Sequence, residues 1–214
     1  MISNLLFMPM LKGILLFFLS LFVWWNLTFL TKKDKRLVAS FSGDAAFAFL
    51  SFAFSFQLFF HWKDILTSPS YFFLLSARPT GIALICTAGY LGYKKISRLF
   101  DQPLFYQGWL QLLVTGTTVN HLYYAFMYGQ LRSILSAGLG LAALFFLIIK
   151  LRSLPFLLVL TFLYPLGQYL LLKRTFLFFE FVFPSSSLLF AAGTWLCLLL
   201  FYFLKRRNAS SLPN

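Results

Sequence analysis

Acidic residues are nearly missing from this chain. Its 214 residues include 5 Asp plus Glu, 2 Cys and 2 His. Charged residues of either sign reach 11%, against about 25% in an average soluble domain. So few charges cannot clothe an ordinary soluble surface, which excludes a cytosolic enzyme and a disordered tail protein. Cys86 and Cys197 lie far apart, each within an apolar run, which excludes a disulfide scaffold. Both read as free thiols buried in apolar surroundings. With no Cys-x-x-Cys and no Cys/His cluster, no metal and no cofactor is expected. A Gly-rich phosphate loop and a nucleophile elbow are also missing.

Apolar residues make up 60% of the chain and aromatics 21%, with 30 phenylalanines. Seven apolar segments stand out: Gly13–Leu30, Leu37–Phe60, Tyr71–Tyr93, Pro103–Tyr128, Ser133–Ile149, Leu154–Leu172 and Ser185–Leu204. At 1.5 Å per residue, such lengths match a hydrocarbon core of about 30 Å. Runs such as Ile14–Phe18 and Phe145–Ile149 do not alternate as barrel strands do, so the spans are helices. The expected fold is an all-α, polytopic integral membrane protein of about seven transmembrane helices. Residues 1–207 form a single seven-span domain and 208–214 a short, polar, disordered cytoplasmic tail. The start of the chain, with Lys12 before a long apolar run and no small-residue cleavage site, reads as a retained first span.

The net charge is +13, from 18 Lys plus Arg. Nucleic-acid binding would need a broad basic face, whereas here the cations sit in short clusters between apolar runs, a pattern of topology signals and lipid contacts. Lys32, Lys33, Lys35, Arg36, Lys94, Lys95, Arg98, Lys150, Arg152, Lys205, Arg206 and Arg207 fall on one side of the expected membrane. Lys12, Lys63, Arg78, Arg132, Lys173 and Arg174 fall on the other. The larger set belongs in the cytoplasm, which places the N-terminus outside and the C-terminus inside.

The most polar stretch within a span is Thr117, Thr118, Asn120, His121, Tyr123, Tyr124 and Tyr128. Thr117, His121 and Tyr124 share one helical face by their spacing, and that face must turn towards protein or a cavity. Two readings stand side by side: hydrogen bonds that hold the bundle together, or a catalytic cluster. The other imidazole, His61, lies beside Trp62 at the outer end of the second span. Arg78, before Pro79, reads either as a phosphate contact for an anionic lipid or as a snorkelling span-end arginine. Pro79 would kink the third span or end a short outer segment. Lys173 and Arg174 break the charge bias, as a headgroup site or as interfacial anchors, with Glu180 placed to pair with either in an aromatic turn over Phe176–Pro184. Asp44, after Ser42 and Gly43, reads as a helix-start residue. Trp24, Trp25, Trp62 and Tyr106 are placed as interfacial belt residues.

The order of these landmarks resembles the prolipoprotein diacylglyceryl transferases, seven-span bacterial membrane enzymes. The stretch Gly81-Ile-Ala-Leu-Ile-Cys-Thr-Ala-Gly-Tyr90-Leu-Gly-Tyr-Lys94-Lys95 is similar to the family segment that follows its His-Gly-Gly-Leu motif. His61-Trp62 through Pro69-Ser70-Tyr71-Phe72 resembles the outer loop with its Pro-x-Tyr-Tyr. Gly116-Thr-Thr-Val-Asn120 stands at the Gly-Arg-x-x-Asn signature, Gln130-Leu131 at a Gln-Leu motif, and Tyr164-Pro-Leu-Gly167-Gln168-Tyr169 at Tyr-Gly-x-x-Arg-Phe. The pieces run in order over roughly residues 12–204.

The resemblance implies a multi-pass protein of the bacterial cytoplasmic membrane. It implies transfer of diacylglyceryl from phosphatidylglycerol to a cysteine of a prolipoprotein signal peptide. His121 and Asn120 would be the catalytic candidates, and Arg78, Gln168, Lys173 and Arg174 the headgroup ligands. The departures point the other way. Pro79 stands for the family's histidine, Thr117 and Gln168 for two arginines, and Lys12 for a tyrosine, and the small outer head is nearly absent. An anionic leaving group needs a fixed cation and a thiol needs a base, which Gln168, Thr117 and Pro79 do not supply. An inactive relative that binds anionic phospholipid or a membrane partner is therefore the alternative expectation. A transporter or channel subunit would need a chain of acids that the sequence lacks.

Overall fold

The computed structural model describes residues 2–73, 75–149, 154–172, 175–178 and 181–210. Among them are seven helices: α1 (Ile2–Leu27), α2 (Lys32–Thr67), α3 (Ala77–Asp101), α4 (Pro103–Tyr128), α5 (Leu131–Ile148), α6 (Leu154–Leu171) and α7 (Ser186–Ser210). A 3-10 turn, Pro69–Phe73, precedes α3, and a hairpin of β1 (Thr175–Phe178) and β2 (Phe181–Pro184) links α6 to α7. The strands are antiparallel, with Phe176 opposite Phe183. Two helices, α2 and α5, are each long and apolar enough to cross a membrane. The chain is thus all-helical apart from this hairpin, as its apolar runs predict.

Helix ends depart from the expected ones where polar residues supply caps. The basic cluster Lys32–Arg36 is not a loop but the first turns of α2. Thr31 caps that helix, its hydroxyl accepting from the Asp34 amide at 3.2 Å, and Asp34 favours the positive end of the helix dipole. Asp44 consequently lies inside α2 and starts no helix. Pro79 neither kinks nor breaks α3, because α3 starts only two residues earlier and a first-turn proline gives up an amide that had no partner. The α4–α5 turn uses Gly129 at φ 60, a left-handed conformation that closes α4 through its amide on Ala125 O at 2.9 Å.

Helix α4 is the hub, packing on α1, α2, α3, α5 and α6. Its first half joins an aromatic core in which Trp195 of α7 stacks on Tyr106 and Trp109 at 5.5 and 5.4 Å. Tyr106 is thus fully buried and not an interfacial belt residue; its hydroxyl bonds Thr161 Oγ1 at 2.5 Å. Trp24 is equally buried and donates to Gly108 O at 3.0 Å. At the opposite end a smaller core gathers Ala53, Leu75, Ala83 and Phe183, with Phe49 stacked on Phe183. Cys197 is exposed rather than buried, since it faces outward from α7; Cys86 is half-buried, and both are free thiols.

Helices α4 and α5 approach closely at Gly140, where an added Cβ would run into the Thr118 side chain, while Gly138 has open space around it. Gly140→Leu is expected to cost roughly 1–3 kcal/mol as an overpacked contact. Gly138→Leu should leave stability within about 0.5 kcal/mol. Thermal unfolding in detergent measures both, and equal losses would contradict this packing.

Candidate functional site

The expected catalytic pair sits in the second half of α4. Asn120 is fully buried and held by a neighbour, and His121 is buried without a hydrogen bond to any described residue. One turn earlier, Thr117 hydrogen-bonds the Tyr164 hydroxyl of α6. Gln168, 2% exposed, donates through Nε2 both to Tyr164 Oη at 3.1 Å and to Ser136 O of α5 at 3.1 Å. Three side chains and the Ser136 carbonyl thus tie α4, α5 and α6 into one polar seam. At the other end of these helices, Gln107 and Gln111 of α4 both donate to Leu147 O, at 2.6 and 3.1 Å, satisfying a last-turn carbonyl of α5.

This seam brings Gln168 against Thr117, two residues that stand where the resembling family has arginines. It does not bring Arg78 with them. Arg78 is exposed on the first turn of α3, and its guanidinium lies over the Phe60 ring of α2 at 5.7 Å from the centroid. Lys173, Arg174 and Glu180 lie outside the described residues. Two concave sites lie elsewhere, one at the α1–α2 turn against Gln107 and Gln111 and one in a groove between Phe47 and Tyr90.

A second polar cluster lies at the C-terminal end of α2, around a histidine that the sequence marks only as interfacial. His61 has non-helical torsions (φ −128, ψ 25), so α2 kinks there. The kink turns its ring between two partners: Nδ1 lies 3.2 Å from Asp64 Oδ2 and Nε2 lies 3.0 Å from Ser76 Oγ. Gln57, fully buried one turn below, fixes the returning chain by donating to Tyr71 O at 3.2 Å and accepting from the Ser76 amide at 3.4 Å. The Tyr71 ring leans on the imidazole at 5.4 Å. The His61–Asp64 pair is legible as an i, i+3 spacing; Ser76 is not, because the kink and the 3-10 turn place it.

Tyr164 Oη is the shared atom of the seam, so its loss should weaken both neighbours. In a cycle of Tyr164→Phe with Gln168→Leu, a coupling of about 0.6–1.7 kcal/mol is expected, the range for hydrogen bonds inside helix bundles in lipid. Additive unfolding free energies would refute the shared bond. Comparison with known proteins adds no assignment: no family model, curated protein or solved structure matches the chain.

Proposed function

We propose that this chain is a seven-span protein of the cytoplasmic membrane, a divergent relative of the diacylglyceryl transferases that binds anionic phospholipid and does not use Asn120 and His121 for thiol lipidation. One observation carries this reading: the molecule is apolar outside and polar within. Phe126 is 89% exposed, Leu170 78% and Phe47 75%, and they are accompanied by exposed large apolar side chains on α1 through α7. Gln57, Gln107, Gln111, Asn120, His121 and Gln168 are buried. In water such a surface would aggregate; in lipid it is the stable arrangement. The seven helices agree in number with the seven apolar runs, and the charge bias favours the N-terminus outside.

A transferase site needs room for a lipid headgroup and a cation beside the base. His121 is buried without a hydrogen bond to any described residue, and the positions of the family's arginines hold Thr117 and Gln168, which both bond the Tyr164 hydroxyl. Arg78, exposed on the first turn of α3, is a cation placed to meet a phosphate oxygen.

Protein purified in detergent from an anionic membrane is expected to retain phosphatidylglycerol over neutral lipid, and Arg78→Gln to lose most of that excess. Incubation with phosphatidylglycerol and a lipobox-cysteine peptide should give no peptide mass gain while an established transferase is active alongside. A diacylglyceryl mass gain abolished by His121→Ala would establish the transferase instead. Orientation is checked by cysteines placed at Trp62 and Lys33 in a background lacking Cys86 and Cys197. An impermeant maleimide should label the first in intact cells and the second only after permeabilisation.

A further inference from the structure

The geometry points to a serine acyl-transfer site at the outer end of the bundle, with Ser76 as nucleophile, His61 as base and Asp64 orienting the imidazole; its substrate is the carboxylic ester of a membrane glycerolipid. The hydroxyl proton of Ser76 has its place set by the imidazole. Asp64 only accepts hydrogen bonds when ionised, so Nδ1 of His61, 3.2 Å away, carries the ring proton and Nε2 is left as an acceptor. Ser76 Oγ has two acceptors within reach, His61 Nε2 at 3.0 Å and Gln57 Oε1 at 3.3 Å, and the nearer is the base. That is the order of contacts a nucleophile, base and orienting carboxylate require.

Ser76 is also free to act. It is the N-cap residue of α3, where a serine ordinarily accepts from the amide two or three residues on, yet its side chain makes no capping bond. Pro79 occupies the third helical position and has no amide to offer. The hydroxyl is thereby released towards His61. The first-turn amides of α3 follow Ser76 directly, and helix-start amides of this kind can stabilise a developing oxyanion. Ser76 and His61 are half-buried and Asp64 is 59% exposed, so the site is reached from the surface.

In the first step Ser76 Oγ bonds to the ester carbonyl carbon and its proton passes to His61 Nε2. The tetrahedral oxyanion collapses, the ester C–O bond breaks, and the departing glycerol oxygen takes the proton back from Nε2. Water, deprotonated by the same nitrogen, then releases a fatty acid from Ser76. The lipid assignment rests on the membrane reading given above. The cluster sits at a helix end with exposed Trp62 and Arg78 around it, residue types that in a membrane favour the interface, where glycerolipid esters and phosphates lie.

The test uses the purified full chain in detergent and in phosphatidylglycerol vesicles. A fluorophosphonate probe should label the protein at Ser76, with no label in Ser76→Ala and at least a 100-fold slower rate in His61→Gln. Asp64→Asn should slow it less, about tenfold or under, because the exposed carboxylate is screened by water. Fatty acid should be released from the vesicles, and p-nitrophenyl butyrate should be cleaved in detergent. A folded protein that takes up no probe, or labels equally as Ser76→Ala, overturns the site. Cleavage of the soluble ester without release of fatty acid overturns the lipid assignment. A Ser76→Cys variant lacking Cys86 and Cys197 guards against loss of fold. Its alkylation by iodoacetamide at neutral pH should fall at least tenfold with His61→Gln, and an unchanged rate also overturns the relay. Lipid retention is read separately from probe labelling, so failure of either reading is visible without the other.

Discussion

Apolar residues on the outside leave little to hold the helices together from within. When the surroundings are as apolar as the side chains, burying leucine against leucine gains almost nothing, and association rests on close packing and internal hydrogen bonds. That constraint organises the bundle around α4. Its small residues admit neighbours: Gly108 lies against Leu30 and Val38, and Thr118 lies against Gly140. Its amides and hydroxyls then bind what comes close, with Gln107 and Gln111 on Leu147 O and Thr117 on Tyr164. Each such bond removes a polar group that could not otherwise be accommodated in hydrocarbon.

The same constraint decides between two readings of one polar face. A hydroxyl or amide committed to holding helices is not available to a substrate. Thr117, Tyr164 and Gln168 are committed in this way across three helices, and Asn120 of α4 is fully buried. At the other polar cluster the economy differs. Gln57 ties down the chain at Tyr71 and Ser76, but His61 is held between an exposed carboxylate and a hydroxyl, where the ring stays reachable. One cluster is enclosed by the bundle and the other lies on its rim.

The apolar runs were enough to read seven helices and their order, because hydrophobic length is a local property. Boundaries failed where a polar residue extends a helix: Thr31 and Asp34 draw Lys32–Arg36 into α2, which no apolar count anticipates. Facing failed too. Tyr106 near a span end has the composition of a belt residue, but the stacked Trp195 and the Thr161 hydroxyl draw it inward. The hairpin at Thr175–Pro184 has the aromatic content of an interfacial turn, and its pairing depends on Phe183 meeting Phe49 of a helix more than a hundred residues earlier. At the seam, Thr117, Asn120 and His121 were legible as a polar face; Tyr164, which bonds Thr117, and Gln168 and Ser136 beyond it come from other helices, and only packing brings them there.

Pro79 joins these strands. Set beside the resembling family it is a loss, since it stands for a histidine and can move no proton. Set in α3 it has a definite physical consequence: a helix whose third residue lacks an amide leaves its capping serine without that partner. Ser76 then turns to the nearest strong acceptor, which the kink at His61 brings to 3.0 Å. An amide at this position would donate to the Ser76 oxygen, whereas the Ser76 proton is directed to His61, so proline at 79 leaves the hydroxyl held by the imidazole rather than by its own helix.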